Sequence, residues 1–353
     1  MSYFVITYFV VLIGASCLAA YLEKRAVFMP LFSLTLASLV LGVLGGESAL
    51  RTLAILAGLL AFAVGAAYSF REFLINLVRP QTARFLRTAP LTAAFGMLVI
   101  LIYAIMGAFA PIIAPFGEAE VISSSFAPPD SVMLLGADQL GRDLFSRLVF
   151  GARNTVGLAL SATLLAFLIG AFGGLIAAIR GGWLDQALGR VADVVMSIPS
   201  LIFALLLLSI FGTNVLVLVI IVAIIYSPRV FRLTRAVAGD VVVMDYVEAA
   251  RLRGEGDWYL IRREILPNST APLIAEFGLE FCFVFLLIAG LSFLGLGIQP
   301  PTADWGSMVR ENATLISFGE ITPLIPAGAI AMLTVAVNFV VDWMLWQSAG
   351  LKE

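Results

Sequence analysis

Residues 273–297 read Leu-Ile-Ala-Glu-Phe-Gly-Leu-Glu-Phe-Cys-Phe-Val-Phe-Leu-Leu-Ile-Ala-Gly-Leu-Ser-Phe-Leu-Gly-Leu-Gly, and Glu276 and Glu280 are their only charged side chains. A bilayer core about 30 Å thick needs about 20 apolar residues in a helix. The length and the near absence of charge therefore predict a helix that crosses a membrane.

The same pattern recurs along the whole chain. The predicted spans are roughly 3–21, 27–45, 52–70, 90–114, 154–179, 195–212, 214–228, 273–297 and 323–346. Apolar residues make up 61% of the 353 residues and charged residues 12%, against about 45–50% and about 25% in soluble domains. This composition excludes a soluble domain and a disordered chain, and the continuous runs argue against a β-barrel. The predicted fold class is an all-α polytopic membrane protein with about nine transmembrane helices.

Turn-forming residues shape three of these spans. Gly212 and Asn214 interrupt an apolar run, which predicts a tight hairpin between the sixth and seventh spans. Pro228 is predicted to end or kink the seventh span. Gly170 and Gly174 form a small-xxx-small pair that favours close packing of two helices.

The positions of Lys and Arg predict the orientation. With the N-terminus outside and the C-terminus inside, most of the 21 basic residues face the cytoplasm, as the positive-inside rule requires. Arg51, Arg142, Arg147, Arg153 and Arg310 remain outside. The first span has no basic region before it and is predicted to be a retained helix.

Missing residue types exclude several kinds of chemistry. The chain has no histidine, and its two lysines, Lys24 and Lys352, follow no phosphate-binding glycine motif, so a catalytic triad and a P-loop ATPase are excluded. Cys17 and Cys282 lie in apolar runs and suggest packing. We expect no catalytic residue, metal site or bound cofactor in this chain.

The predicted cytoplasmic loop 229–272 is longer than a connection requires. It is expected to hold two short helices, 241–253 and 258–264, with Gly254 ending the first and Pro267 the second. Such a pair would form a rigid knob for a groove on a partner protein. An interfacial helix pair without a partner is the alternative.

The residues of this loop resemble a known motif. Glu248-Ala249-Ala250 with Gly254, followed by Ile265-Leu266-Pro267, resembles the signature loop of permease subunits in bacterial ABC importers. The resemblance implies that these seven residues form coupling helices seated in a cleft of an ATP-hydrolysing subunit.

A second set of motifs resembles one branch of that family, the "C"-type permeases for oligopeptides, dipeptides and nickel. The motifs are Leu135-Gly-Ala-Asp-Gln-Leu-Gly-Arg-Asp-Leu-Phe-Ser-Arg147, Gly151-Ala-Arg153, Gly181-Gly-Trp-Leu-Asp185, Ser197-Ile-Pro-Ser200, Phe293-Leu-Gly-Leu-Gly-Ile-Gln-Pro-Pro301 and Asp304-Trp-Gly306. The resemblance covers the chain from about residue 90 to the end. It implies a six-helix permease core over 90–353, with a periplasmic segment at 115–153. Residues 1–70 are then an extra three-helix unit, and the basic segment 71–89 is a cytoplasmic linker or an interfacial helix.

Two clusters of charged residues are candidates for further roles. Asp138, Arg142, Asp143 and Arg147 are expected either to contact a docking protein or gate from the periplasmic side, or to form an ion-pair network that shapes the segment.

Glu276 and Glu280 share one helix face, since they are four residues apart. They are expected to line the translocation path or its gate. The alternatives are an interfacial pair held by Arg229 or Arg232, and ion-binding carboxylates of a secondary transporter driven by an ion gradient.

The resemblance implies a permease subunit in a bacterial inner membrane. A second, homologous permease would complete the pathway, two ATPase subunits would bind ATP and magnesium, and an external binding protein would deliver the substrate. Peptides are the default substrate, and nickel chelates, opines and oligosaccharides are alternatives. Lipid is an expected contact and nucleic acid is not.

Overall fold

The computed structural model describes residues 48–318, 320 and 322–348. The predicted spans 3–21 and 27–45 lie outside the described residues. The chain divides into two compact units, Met1–Leu86 and Arg87–Glu353.

The first unit contributes helix α1 (Ser48–Leu77) and most of helix α2 (Pro80–Arg87). Helix α1 continues past residue 70, where the sequence predicted the third span to end, and its apolar stretch is Gly58–Leu77. Part of the predicted linker 71–89 is therefore helical. The assignment of residues 1–70, 71–89 and 90–353 to separate roles stays a prediction.

The second unit consists of further helices and their connections. The helices are α3 (Leu91–Ala108), α4 (Ala110–Ile113), α5 (Leu144–Gly151), α6 (Gly157–Arg180), α7 (Gly182–Met196), α8 (Ser200–Phe211), α9 (Val215–Val242), α10 (Asp245–Leu252), α11 (Asp257–Tyr259), α12 (Leu266–Phe293), α13 (Trp305–Asn312) and α14 (Leu324–Ser348). π-helical turns join α5 to α6 at Ala152–Val156 and α11 to α12 at Leu260–Ile265, and a 3₁₀ segment, Ala313–Phe318, follows α13.

The described residues confirm the predicted all-α membrane class. Six helices are long and apolar enough to span a bilayer, and the bent pair α7–α8 would make a seventh. The total of nine spans and the orientation stay predictions.

The predicted sixth span, 195–212, is wrong as a straight helix. Helix α8 has 12 residues, about 18 Å at 1.5 Å per residue, which is too short to cross a bilayer core. Helices α7 and α8 meet at an angle of 88°. The break at 212–214 is confirmed, and Asn214 caps α9 by accepting a hydrogen bond from the Leu216 N–H at 2.9 Å.

Of the two alternatives predicted for Pro228, an end of the seventh span is excluded, because α9 runs through this proline to Val242. Proline has no N–H for the carbonyl four residues earlier, which here belongs to Ile224. The Ser227 hydroxyl donates to that carbonyl at 3.2 Å. A neighbouring side chain thus satisfies the freed group, and the helix continues.

Pro267 likewise does not stop a helix. It lies in the first turn of α12, directly after a π-helical turn, and Asp257–Phe293 forms one long helical segment. Proline is tolerated in a first turn, where its missing N–H is not needed. Glu280 lies about 21 Å from the start of α12 at 1.5 Å per residue.

Helices α6 and α9 pack closely, as Gly170 and Gly174 predicted. A Cβ atom on Gly170 would overlap the Ser227 carbonyl oxygen, and one on Gly174 would lie 2.8 Å from Thr234 Cβ. Only glycine leaves room for this approach. The main core lies among α6, α9, α12 and Trp305 of α13.

Candidate functional site

The knob, which we define as residues 243–267, has a buried side. Val247 and Ala250 of α10 pack against Leu260 and Ile265 of the long helical segment. All four side chains are buried. The predicted pair of short helices is therefore one short helix, α10, held by apolar contacts on the end of a long one.

A glycine turn joins the two parts of the knob. Gly254 has φ +85°, a conformation that side chains other than glycine rarely adopt. Its N–H donates to Arg251 O at 2.9 Å, and the Glu255 N–H donates to Ala250 O at 3.2 Å. These two bonds form a Schellman motif, so the predicted end of the first helix at Gly254 is confirmed.

Polar contacts attach the knob to the end of α6. Arg180 Nε and Asp257 Oδ2 are 2.8 Å apart, and Arg251 donates to the Ile179 carbonyl oxygen at 3.4 Å. Both side chains of the ion pair are largely exposed, so the contact contributes about 0–1 kcal/mol.

The opposite side of the knob is uncovered. Val243 is 78% exposed, Leu252 83% and Trp258 64%, and Glu248 is exposed as well. Exposed apolar side chains with a polar neighbour are typical of a protein interaction site.

The seven motif residues fall on both sides of the knob. Ala250 and Ile265 are buried and hold the two parts together, whereas the others are exposed: Glu248, Ala249, Gly254, Leu266 and Pro267. The motif thus joins residues that build the knob to residues that a partner can reach.

A buried ionic cluster, which we define as Asp138, Arg142, Arg147 and Glu311, joins the segment before α5 to α5 itself and to α13. Asp138 Oδ2 lies 2.7 Å from Arg142 Nε and 3.3 Å from Arg147 Nε. Glu311 Oε2 lies 3.0 Å from Arg142 Nη2 and 3.3 Å from Arg147 Nη2. Two cations meet two anions, so the cluster is neutral.

The cluster has no free surface for a docking protein. Asp138, Arg142 and Arg147 are 1–3% exposed, which favours the ion-pair network over direct contact with a binding protein. Asp143 is also buried and takes no part in the ion pairs. It caps α5 by accepting a hydrogen bond from the Ser146 N–H at 2.8 Å.

Glu311, which the sequence analysis did not single out, joins the cluster from α13. It is separated from Arg147 by 164 positions in the chain, so no local spacing pointed to it. The motif Asp304-Trp305-Gly306, which begins seven residues before Glu311 and resembles the peptide-permease pattern, was the one sequence signal that pointed to this region.

Asp304 and Trp305 anchor α13 against α5 and the π-helical turn that follows it. Trp305 Nε1 donates to the Leu148 carbonyl oxygen at 2.9 Å, and its ring is fully buried against Tyr103. Asp304 accepts hydrogen bonds from the Thr155 hydroxyl and the Ser307 N–H, each at 2.9 Å. Burial raises the pKa of Asp304, and these hydrogen bonds oppose that shift.

Glu276 and Glu280 lie on α12 where it packs against α9. Glu280 is buried, and its Oε2 has no hydrogen-bond partner among the described residues; Glu276 is partly buried. Arg232 is not their partner, since it pairs with Asp193 at 2.7 Å. A pathway role for the two carboxylates stays a prediction.

The sequence profile of one family, the binding-protein-dependent transport system inner membrane component, matches residues 169–346. The di/tripeptide transport permease DppC of Pseudomonas aeruginosa is 35% identical over 254 residues, which are 70% of this chain and 84% of the relative.

The chain belongs to the permease family of peptide-type ABC importers.

Other relatives of the permease carry related names. The glutathione transport permease GsiD of Pectobacterium atrosepticum is 33% identical over 73% of this chain and 86% of the relative. Among solved structures, the crystal structure of an amino acid ABC transporter with histidines has a TM-score of 0.43 and 21% identity, over 58% of this chain and 94% of that chain.

Family and fold together make the permease a multi-pass protein of the bacterial inner membrane. The family supports transport by an ABC importer over the alternative of an ion-gradient transporter. It is a family of transport subunits and not of catalytic ones.

Proposed function

We propose that this permease forms half of the translocation pathway of an ATP-driven importer and receives its energy through the knob. A homologous permease would form the other half, two ATPase subunits would bind ATP and magnesium on the cytoplasmic side, and an extracytoplasmic binding protein would deliver the substrate. Peptides or similar small solutes are the proposed substrate class, which the names of DppC and GsiD support.

The knob geometry is the observation that supports coupling. Its buried side fixes α10 to the long helix Asp257–Phe293, so a push on α10 reaches a membrane-spanning segment without a flexible link. Its exposed side presents Leu252 and Glu248 to a partner. Closure of the ATPase subunits would thus move α12, one wall of the proposed pathway.

A pair of matched variants tests this function. In Leu252→Glu, a charge replaces an exposed apolar side chain of the knob, and we expect the yield of ATPase that co-purifies with the permease to fall at least tenfold. In the control, Leu134→Glu, the same change is made at a leucine that is 62% exposed and lies close in sequence to the ionic cluster, far from the knob. The control should retain its ATPase subunits.

The second measurement is ATP-dependent uptake of a dipeptide into proteoliposomes that contain the importer and its binding protein. Uptake should be lost in Leu252→Glu together with ATPase binding. Equal ATPase recovery from both variants, or uptake that needs no ATP, would contradict the proposal.

A further inference from the structure

The bend between α7 and α8 opens a cavity with one charged residue among its lining side chains. The cavity has a volume of about 360 Å³, and Arg229 of α9 supplies the charge. The polar lining residues are Ser200 and Tyr226, and the remainder is apolar. This size and lining suit a small ligand with one polar anchor.

Arg229 lies at the middle of its helix, and its side chain is exposed. Residues 215–228 of α9 carry no charge, and Arg229 is about 21 Å from Val215 and about 20 Å from Val242 at 1.5 Å per residue. Its exposed side chain lines the cavity, so a ligand that enters the cavity can reach the guanidinium.

The guanidinium is positioned by aromatic rings and not by a carboxylate. It lies 5.3 Å from the ring centroid of Tyr226 and 5.0 Å from that of Phe283. Among the described residues, no carboxylate oxygen lies within 4.0 Å of it, although Glu276 and Glu280 contribute to its electrostatic surroundings. Cation–π contacts orient the group while its N–H donors stay available.

A second feature of the cavity also favours an anion. Helix α8 begins at Ser200, and its N-cap residue Pro199 provides no side-chain cap. The first N–H groups of a helix have no partner within the helix and carry the positive end of its dipole. Discontinuous membrane helices present such ends to anionic groups of substrates.

We infer that Arg229 and the N-terminus of α8 form a carboxylate-binding site for the substrate within the permease. The inference rests on the proposed function, since it takes the ligand to be a peptide in transit. Arginine binds a carboxylate through two parallel N–H donors, so the C-terminal carboxylate of a short peptide matches this anchor.

Cysteine labelling tests the site without any need for uptake. Leu201, which lines the cavity and is 40% exposed, is changed to Cys in a chain whose Cys17 and Cys282 are replaced by Ala. The permease, with its co-purifying subunits, is placed in phosphatidylcholine nanodiscs. The measurement is the labelling rate by an anionic methanethiosulfonate reagent, divided by the rate for a cationic one.

Loss of the Arg229 charge should lower this ratio. We expect about a fivefold fall in Arg229→Gln, the effect of one nearby charge in a partly hydrated site, and a small change in Arg229→Lys. The control is Arg232→Gln on the same helix, since Arg232 pairs with Asp193, and its ratio should equal that of the parent.

Protection by ligand identifies the anion. Dialanine should slow labelling of Leu201→Cys, dialanine amide should not, and Arg229→Gln should abolish the difference. A labelling ratio that responds to phosphatidylglycerol in the nanodiscs but not to dialanine would assign the site to lipid and overturn the proposal.

Equal protection by both peptides, or an unchanged ratio in Arg229→Gln, would also overturn it. These labelling results are separate from the test of the proposed function, which fails if Leu252→Glu and Leu134→Glu recover equal amounts of ATPase or if uptake needs no ATP.

Discussion

The ionic cluster and the knob use charged residues in opposite ways. In the cluster, Asp138, Arg142, Arg147 and Glu311 are removed from water and neutralise one another. In the knob, Glu248 and its apolar neighbours stay on the surface, while apolar contacts hold α10 in place.

The two regions show that the residues of a sequence motif can contribute either to the stability of the fold or to the binding of a partner. A substitution in the ionic cluster leaves a buried charge without its partner, and the cost appears in the folding of the permease itself. A substitution on the exposed side of the knob changes few internal contacts, and its cost should appear only when a partner binds. Four pairs of variants make this contrast measurable.

The largest effect is expected for Arg147→Met, which leaves Asp138 and Glu311 with one arginine instead of two. Removing one partner of a buried ion pair costs about 3–5 kcal/mol. The measurement is the free energy of unfolding in detergent micelles. The control is Arg180→Met, which breaks the exposed pair with Asp257 near the knob and should cost about 0–1 kcal/mol. Equal losses in the two variants would show that the ionic cluster is not desolvated.

A matched pair of tryptophans gives the next effect. Trp305→Phe removes the 2.9 Å hydrogen bond to the Leu148 carbonyl and part of a fully buried ring, which together cost about 1–3 kcal/mol. Trp258→Phe makes the same change at an exposed position of the knob and should alter stability by less than about 0.5 kcal/mol. The thermal denaturation midpoint of purified Trp305→Phe should therefore lie below that of Trp258→Phe. The reverse order would contradict the assignment of Trp305 to a buried position and Trp258 to an exposed one.

Gly254→Ala tests the turn of the knob. The positive φ of +85° disfavours any side chain, and we expect a loss of about 1 kcal/mol. Gly256→Ala is the control in the same turn, because Gly256 has φ −81° and tolerates a Cβ atom. The difference in unfolding free energy between these two variants measures the strain, and no difference would mean that the turn rearranges freely.

Glu248→Gln should change the free energy of unfolding least, by under about 0.5 kcal/mol, since Glu248 is exposed. We expect it nevertheless to reduce the ATPase activity that the binding protein stimulates, because the carboxylate faces the proposed partner. Glu311→Gln, the same change in the ionic cluster, should instead destabilise the permease. A Glu248→Gln importer with normal stimulated ATPase activity would exclude this carboxylate from the coupling contact.

Several features of the fold could be predicted from the sequence because their causes are local. Apolar length predicts spans, and Gly254 and Asn214 mark helix ends through backbone conformation and capping, so the structure agrees at these points. The helix end predicted at Pro267 was wrong, and at Pro228 the helix end is the excluded alternative, because local rules treat a proline as a breaker. Whether a helix continues depends on what satisfies the freed carbonyl, here the Ser227 hydroxyl.

By itself, the sequence determined the membrane class and the residues of the loop motif, and it predicted a close helix contact at Gly170 and Gly174, for which the structure supplied the partner α9. Only the tertiary structure decided which charged side chains are buried together and which stay exposed. Glu311 meets Arg147 across 164 positions, and Arg229 meets the start of α8 only because α7 and α8 bend by 88°. Local spacing fixes the geometry within one helix, whereas contacts between distant segments arise only when the helices pack.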